Sequence, residues 1–361
     1  MNLSKCFEGL TVIELANVLA GPAAGMFFAE LGANVIKIEN STTDGDMTRK
    51  WKLPSEDKNS NISAYYCSVN WNKKVQLLNL KKKNDQKIVH DLIAKADIVI
   101  SNYKPGKAEE LRMDYSTISV INPQIIYAHI SGFGEESSRT AFDVVLQAET
   151  GFMSMNGQPN GPPTKMPVAL IDVLAAHQLK EGILVGLLQR SKTGRGSYIC
   201  SSLYNSAIAS LANQATNWLM ANHIPTRLGS THPNISPYGE IVTTKDNQKL
   251  VLAIGTNKQF VELCKIIGRI DLSKKDDFST NEKRVLNREK LLVEIIISLR
   301  KIDSQFFIEN CIKNDVPCGF VKNLKQVFET PEAAKTTLNE TIKNQPTSRV
   351  KTVAFEIKEC L

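Results

Sequence analysis

The chain has 361 residues, of which 42% are hydrophobic and 22% charged, a balance typical of a folded protein with a large core and not of a disordered one. No apolar run is long enough to span a bilayer, and the N-terminal residues lack both the apolar stretch of a signal peptide and the bias of a transit peptide. We therefore expect a cytoplasmic protein with two lobes and no membrane partner.

The first elements alternate strand and helix. Thr11–Leu15 reads as a strand, Pro22–Leu31 as a helix opened by Gly21-Pro22, and Asn34–Ile38 as a second strand. The alternation continues with a helix over 86–96, a strand over 97–101, a helix from Lys107 and a strand over 125–130. This order predicts an α/β fold with a parallel, doubly wound sheet.

In such sheets ligands bind beyond the carboxyl ends of the strands, which puts Glu39-Asn40, Asn102-Tyr103 and Ser131–Gly134 on the ligand side. The turn after the first strand, Ala16–Pro22, lacks the G-x-G-x-x-G pattern, which disfavours a nicotinamide dinucleotide.

The second half contains two turn-rich stretches, 157–163 and 229–239, and the later one is the better candidate for a lobe boundary. Between them lie an apolar helical segment over 168–190, a tight turn at 192–196, and then a strand and a helix that ends near Ala221. After the boundary we predict a hairpin over 240–254 and helices over 258–267 and 286–299.

The metal-ligating residue types are scattered. The seven cysteines form no C-x-x-C pair and the five histidines have no i, i+4 spacing, so we expect reduced cysteines and no metal site. Lysine runs such as 81–83 lack interleaved aromatic residues, which disfavours a nucleic acid partner. The net charge of +7 fits either a solvated face or a polyanionic ligand.

One acid, Asp172, stands between Ile171 and Val173 in the apolar segment. It is either a helix N-terminal acid satisfied by backbone amides or a partly desolvated, reactive carboxylate. The choice between these two roles of Asp172 rests on eight motifs, which in this order resemble the class III CoA-transferases of the formyl-CoA and carnitine type. The motifs are Leu19–Pro22, Leu31–Glu39, Gly45–Arg49, Asn102–Gly106, Ser131–Gly134, Asn160–Pro163, Lys192–Gly196 and His232–Tyr238.

The resemblance implies a Rossmann-like large domain with a parallel sheet plus a smaller α+β domain, in an interlocked homodimer. Residues 1–222 would form the first part of the large domain, 223–330 the small domain, and 331–361 a C-terminal return to the large domain. Stretches at 65–70, 72–74, 217–219 and 255–260 look most like the succinate-hydroxymethylglutarate CoA-transferase branch, which suggests a dicarboxylate donor or acceptor.

The family's catalytic aspartate falls on Asp172. By resemblance, its carboxylate attacks an acyl-CoA, an aspartyl-CoA thioester forms, and a small carboxylic acid takes the CoA; coenzyme A is a substrate, and no bound cofactor is implied. The CoA contacts that the resemblance implies are Leu19, Ala20 and Asn102. Charge adds Arg49, Lys73 and Lys74 as candidate phosphate partners, and a solvated surface role stays open for each lysine. Arg112 is a fourth candidate, because it lies two residues past Glu110, where many relatives have a basic residue.

Several positions depart from the family pattern, among them Asn40, Glu110, Trp71 and Pro167. Two other functions stay open. An α-methylacyl-CoA racemase needs a histidine just before Asp143, where this chain has Phe142. A non-catalytic CoA-binding protein would use Asp172 only as a cap.

Overall fold

A computed structural model of the chain describes residues 5–342 and 344–358. By their internal contacts these residues divide into two units. The first contains the described residues up to Met153, Lys165–His223 and the described residues from Glu332 onward; the second contains Ser154–Thr164 and Ile224–Pro331. Residues 154–164 thus group with the second unit, whereas the sequence division had them in the large domain. The C-terminal residues 359–361 of the expected return lie outside the described residues.

The first unit holds one six-stranded sheet and the helices that cover it. Its strands and helices are β1 Thr11–Glu14, α1 Ala20–Glu30, β2 Asn34–Asn40, α2 Ala64–Cys67, β3 Lys74–Leu78, α3 Lys83–Ile93, β4 Ile98–Ser101, α4 Lys107–Glu110, α5 Tyr115–Ile121, β5 Ile126–Ser131, α6 Asp143–Glu149, α7 Phe152–Met155, α8 Leu170–Thr193, β6 Ser197–Ser202, α9 Leu203–Ala209 and α10 Ala212–Ala221. Helix α7 runs across the boundary between the units.

All neighbouring strands of this sheet are parallel, and their order is β3-β2-β1-β4-β5-β6. The order reverses between β1 and β4, which is the switch point where doubly wound sheets bind ligands. The mixed α/β fold with a parallel sheet that the alternation predicts is therefore confirmed. Strand β3 was not predicted.

The strands are apolar on both faces because helices cover both faces. Successive side chains point to opposite sides, so Val12 and Ile98 pack against α1 and α8, while Ile13 and Val99 pack against α3 and α5. No helix in the described part of the chain is long and apolar enough to cross a membrane.

The second unit is a three-stranded antiparallel sheet covered by helices. Its elements are β7 Tyr238–Thr243, β8 Lys249–Ala253, α11 Asn257–Ile266, α12 Asn281–Leu286, α13 Arg288–Leu299, α14 Ser304–Lys313, β9 Cys318–Phe320, α15 Leu324–Phe328 and α16 Pro331–Ala334, which crosses back into the first unit. The predicted hairpin is β7–β8, and Asn247 in its turn takes the positive φ of 60° that asparagine tolerates.

The chain then adds an antiparallel hairpin, β10 Thr337–Ile342 and β11 Gln345–Val350, to the first unit. Beyond it, the backbone N–H groups of Thr352 and Val353 donate to the Glu30 carboxylate at the end of α1, at 2.7 and 2.9 Å. These bonds tie the described C-terminal segment to the helix that packs on the sheet.

Candidate active site

A cavity of about 970 Å³ opens in the first unit at the carboxyl ends of the strands. Residues that follow β1, β2, β3, β4 and β5 all line it, as does Asp172 from α8. Of the loops that the strand-end argument puts on the ligand side, Glu39-Asn40, Asn102-Tyr103 and Ser131-Gly132 line this cavity. It is large enough for a drug-sized or larger ligand.

The turn that leads from β1 into the first residue of α1, residues 17–20, forms one wall of the cavity. Within it Val18 has φ of +74°, a left-handed conformation that costs a β-branched residue about 1–2 kcal/mol. Asn102 locks the preceding residue, since its Oδ1 accepts from the Asn17 N–H at 3.1 Å and its Nδ2 donates to the Asn17 carbonyl at 2.9 Å. Leu19 and Ala20 line the cavity beside it, whereas the Asn102 amide is engaged with the turn itself.

Buried charges lie behind this turn. The Nζ atoms of Lys37 and Lys73 reach the Glu14 carboxylate at 3.0 and 2.7 Å, and all three side chains are fully buried. Lys37 also lies 3.2 Å from Asp46, whose oxygens accept from the Val18 N–H at 3.1 and 3.4 Å. Burial, only partly offset by Glu14, lowers the pKa of Lys73 to about 8.

Arg49 is also held inside the protein. Its guanidinium binds both oxygens of Glu39, at 2.7 and 2.9 Å, and lies 3.8 Å from the centre of the Tyr66 ring. Tyr66 donates to the same carboxylate at 2.9 Å. Arg49 therefore braces the loop that carries Asp46 and does not line the cavity.

Lys74 and Arg112 lie on the surface, away from the cavity lining. The Lys74 Nζ donates to Asn34 at 2.7 Å, and the carbonyl of Arg112 accepts from the His90 ring at 2.8 Å. Of the four phosphate partners expected from charge, the structure brings none to the cavity. Arg49 and Lys73 are already paired with buried carboxylates, and the other two lie elsewhere.

The cations that do line the cavity come from other positions: Lys50, Lys81, Lys104, Lys107 and Arg139. Lys107 pairs with Glu110 at 2.7 Å. Glu110, one of the departures from the family pattern, therefore neutralises a cation at the cavity. Sequence reasoning missed these residues because their charges look like any solvated lysine. A signal existed for Lys104, which stands in the Asn102–Gly106 motif, whereas Lys81 follows β3, which was not predicted.

Asp172 lies in the first turn of α8 and lines the cavity, although only 8% of the residue is exposed. Burial, and secondarily the nearby charge of Asp143, raises its pKa to about 7. Within the described residues its carboxylate accepts no hydrogen bond that would offset the cost of burial. A carboxylate in this state is a stronger nucleophile than a solvated one, because little solvent has to be removed before it reacts.

The N-terminus of α8 is capped from another helix. Its own N-cap residue, Ala169, has no side chain that can accept, and Asp143 of α6 takes over by accepting from the Ile171 N–H at 2.7 Å. Gln147, one turn along α6, donates to the other Asp143 oxygen at 2.6 Å. Asp143 was not among the predicted site residues, although its i, i+4 spacing to Gln147 was a signal for this pair.

Burial also raises the pKa of Tyr65 to about 12, with added contributions from Asp172 and Asp143. This phenol therefore stays protonated near the two carboxylates and remains a hydrogen-bond donor. Across the residues the structure describes, no three His, Cys, Asp or Glu side chains are grouped so as to hold a metal ion.

The sequence as a whole matches one protein family. The family described as CoA-transferase family III matches residues 7–359. Succinate–glutarate CoA-transferase of Agrobacterium fabrum is 37% identical over 337 residues, which are 92% of this chain and 84% of that protein. Succinyl-CoA:glutarate CoA-transferase of Homo sapiens is 36% identical over 343 residues, 92% of this chain and 75% of that protein.

Among solved structures, a CAIB/BAIF family protein from Brucella suis superposes with a TM-score of 0.84 at 31% identity, covering 98% of this chain and 93% of that one. One assignment follows from the parallel sheet, the buried Asp172 at its ligand edge and the family match over almost the whole sequence. The chain is a member of CoA-transferase family III, a class III CoA-transferase.

Proposed function

We propose that this enzyme moves CoA from succinyl-CoA to a small carboxylic acid, preferentially a dicarboxylate, through an aspartyl-CoA thioester on Asp172. The observation that carries the proposal is the buried Asp172 carboxylate, which lines the cavity with its pKa raised by lost solvation. The succinate and glutarate named in two relatives support the choice of donor and acceptor.

The nucleophile in this chemistry is the Asp172 carboxylate. Asp172 attacks the thioester carbonyl, CoA thiolate leaves, and a mixed anhydride forms. The thiolate then attacks the aspartyl carbonyl, which releases the carboxylic acid and leaves aspartyl-CoA. The released acid carries away one aspartate oxygen, and the acceptor acid replaces it when the same steps run in reverse.

CoA brings phosphate groups, and the cavity supplies cations for them. We propose that Lys50, Lys81 and Lys104 meet the phosphates, because all three line the cavity at the strand ends. The Lys50 side chain, 67% exposed in a weak 3.3 Å pair with Asp44, keeps donors available for a ligand.

Two other functions are less well supported. A racemase needs a base beside the substrate's α-carbon on each face, and Phe142 occupies the position where the family's racemases have a histidine. A non-catalytic binding role would use Asp172 as a cap, yet Asp143 makes the bond to the helix N-terminus.

The test is intact mass spectrometry after incubation with succinyl-CoA alone. We expect an adduct of the mass of CoA less water, formed by the wild type and not by Asp172→Asn, and discharged by one acid from a panel. The matched control is Asp114→Asn, which alters a buried aspartate outside the cavity. An adduct that persists in Asp172→Asn would remove Asp172 from the mechanism.

A label sharpens the test. With a heavy-oxygen label in the acceptor's carboxylate, the enzyme carboxylate becomes labelled in the first turnover. Succinate released in the next turnover then carries that oxygen. Label that never reaches succinate would argue against a covalent aspartyl intermediate.

We also propose that two chains associate, in the interlocked form that the family resemblance implies. Exposed apolar side chains on α8 and α10 support a second copy as the occupant: Leu184, Val185, Leu188, Trp218, Leu219 and Met220. Sedimentation velocity should give the mass of a dimer, and a monomer at micromolar concentration would contradict this.

A further inference from the structure

We propose that Asp46 is a positioning residue for CoA transfer, which holds the turn at residues 17–20 in the shape that the reaction requires. The inference rests on the proposed reaction at Asp172, because the same cavity is lined by that turn and by the nucleophile.

The conformation of the turn at residues 17–20 needs stabilising contacts from outside the turn. Val18 is β-branched and has φ of +74°, a region that such residues rarely occupy. Residues kept in such conformations persist only when their surroundings determine them, and they cluster at functional sites. Asn102 fixes the Asn17 peptide groups, and the Val18 N–H is left for Asp46.

The contacts of Asp46 fix its carboxylate in a position to stabilise the turn. It is 2% exposed, and its Oδ1 also accepts from the N–H and hydroxyl of Thr48, at 3.0 and 2.8 Å. Its own N–H donates to Glu39 at 3.0 Å, and Glu39 is in turn clamped by Arg49. The carboxylate therefore presents fixed oxygens to the Val18 N–H.

The neighbouring lysines grip the two flanks of the same turn. Lys37, 3.2 Å from Asp46, donates to the Ala16 carbonyl at 2.8 Å. Lys73, paired with Glu14, donates to the Pro22 carbonyl at 2.8 Å. Contacts from buried charges thus reach the chain at residues 16, 18 and 22, on both sides of the wall that faces the substrate.

Buried ion pairs add little net stability in general, so a network of this kind needs another reason to exist. Its geometry offers one. Asp46, Lys37 and Lys73 each contact a backbone group in or beside the turn at residues 17–20, and that turn lies at the cavity. Positioning errors of about 1 Å can cost a hundredfold in rate.

The experiment compares Asp46→Asn with Asp114→Asn, a second buried aspartate that accepts backbone and hydroxyl hydrogen bonds but lies outside the cavity. We expect kcat for CoA transfer to fall roughly tenfold or more in Asp46→Asn. We expect kcat to stay near the wild-type value in Asp114→Asn, with unfolding followed in both to confirm that the measured protein is folded.

A second substitution separates positioning from a general loss of stability. Glycine takes a positive φ without the cost that valine bears. Adding Val18→Gly to Asp46→Asn should therefore restore part of kcat, which a purely structural role for Asp46 would not predict. Protection of the Val18 amide against hydrogen exchange should fall in Asp46→Asn and stay unchanged in Asp114→Asn.

An unchanged kcat in Asp46→Asn, in an enzyme whose wild type transfers CoA, would overturn the positioning role alone. So would a lowered kcat that Val18→Gly leaves at the same value. Absence of transfer by the wild type with every acyl-CoA tried would instead overturn the proposed function.

Discussion

Replacing Asp172 by asparagine should make the protein more stable at pH 8. The folded protein raises the pKa of this carboxyl from 3.8 to about 7, mainly through burial. A raised pKa means that folding favours the neutral form, so the folded state loses stability relative to the unfolded chain as the pH rises toward 7. With about 1.4 kcal/mol for each tenfold change in proton affinity, the buried charge costs about 4 kcal/mol at pH 8 and about 1.5 kcal/mol at pH 5.

Asparagine removes that charge at nearly the same size, and the cavity leaves its amide within reach of water. We expect Asp172→Asn to raise the free energy of unfolding by about 2–4 kcal/mol at pH 8 and by clearly less at pH 5. Urea denaturation followed by circular dichroism at both pH values measures the two differences.

Asp114→Asn is the control of opposite sign. Burial there is outweighed by hydrogen bonds from Ser116 and Thr117, which lower the pKa of Asp114, so its charged form stabilises the fold. That variant should lose stability at pH 8. If Asp172→Asn is less stable than the wild type at pH 8, or if its effect is the same at both pH values, the argument for a desolvated nucleophile is refuted.

Three further results are expected. The rate of adduct formation should rise about tenfold per pH unit up to pH about 7 and then level off, as Asp172 ionises; a flat profile between pH 5.5 and 8 in stopped-flow assays would contradict this. Lys81→Ala should raise KM for succinyl-CoA roughly two- to fivefold with little change in kcat, whereas Lys192→Ala, at the far end of α8, should leave both unchanged. Gly25→Ala should cost about 1–3 kcal/mol of stability, because the new Cβ would meet the Glu14 carboxylate, which Lys37 and Lys73 hold in place. Gly319→Ala, with open space around it, should cost under about 0.5 kcal/mol. Equal losses of stability in denaturation experiments would contradict a fixed Glu14 carboxylate.

The parallel sheet and its ligand edge could be predicted because the relevant signals are local. Thr11–Glu14 and Ile98–Ser101 are short apolar strands followed by polar or glycine-containing loops, and the carboxyl ends of parallel strands meet at one edge. Asp172 could be singled out because an acid in an apolar run costs free energy, but that cost alone left a helix-terminal acid open, and the family motifs favoured the nucleophile.

Strand β3 and the hairpin of β10 and β11 were missed because none of them is a continuous apolar run: β3, with the sequence KVQLL, mixes polar and apolar residues, and the two hairpin strands are mostly polar. In Lys74–Leu78 the side chains are half-buried or exposed, so the apolar signal of a parallel strand is absent at this sheet edge. The hairpin of β10 and β11 is held by residues distant in sequence, because Trp71 and Asn72 donate hydrogen bonds to Asn339 and Glu340. Such pairings leave no local pattern.

The roles of Arg49 and Lys73 could not be read from charge alone. A cation in a motif looks the same whether it meets a phosphate or a buried carboxylate. The difference depends on Glu39 and Glu14, which lie 10 and 59 residues away along the chain. Only the folded arrangement shows that these cations are already neutralised.

Capping of α8 by Asp143 has a consequence for how the family can diverge. None of the five residues that lead into α8, 165–169, has to supply an N-cap side chain. That segment can therefore change in sequence without disturbing the orientation of Asp172. We expect natural variation in the segment before the helix to be broader than at Asp143 itself.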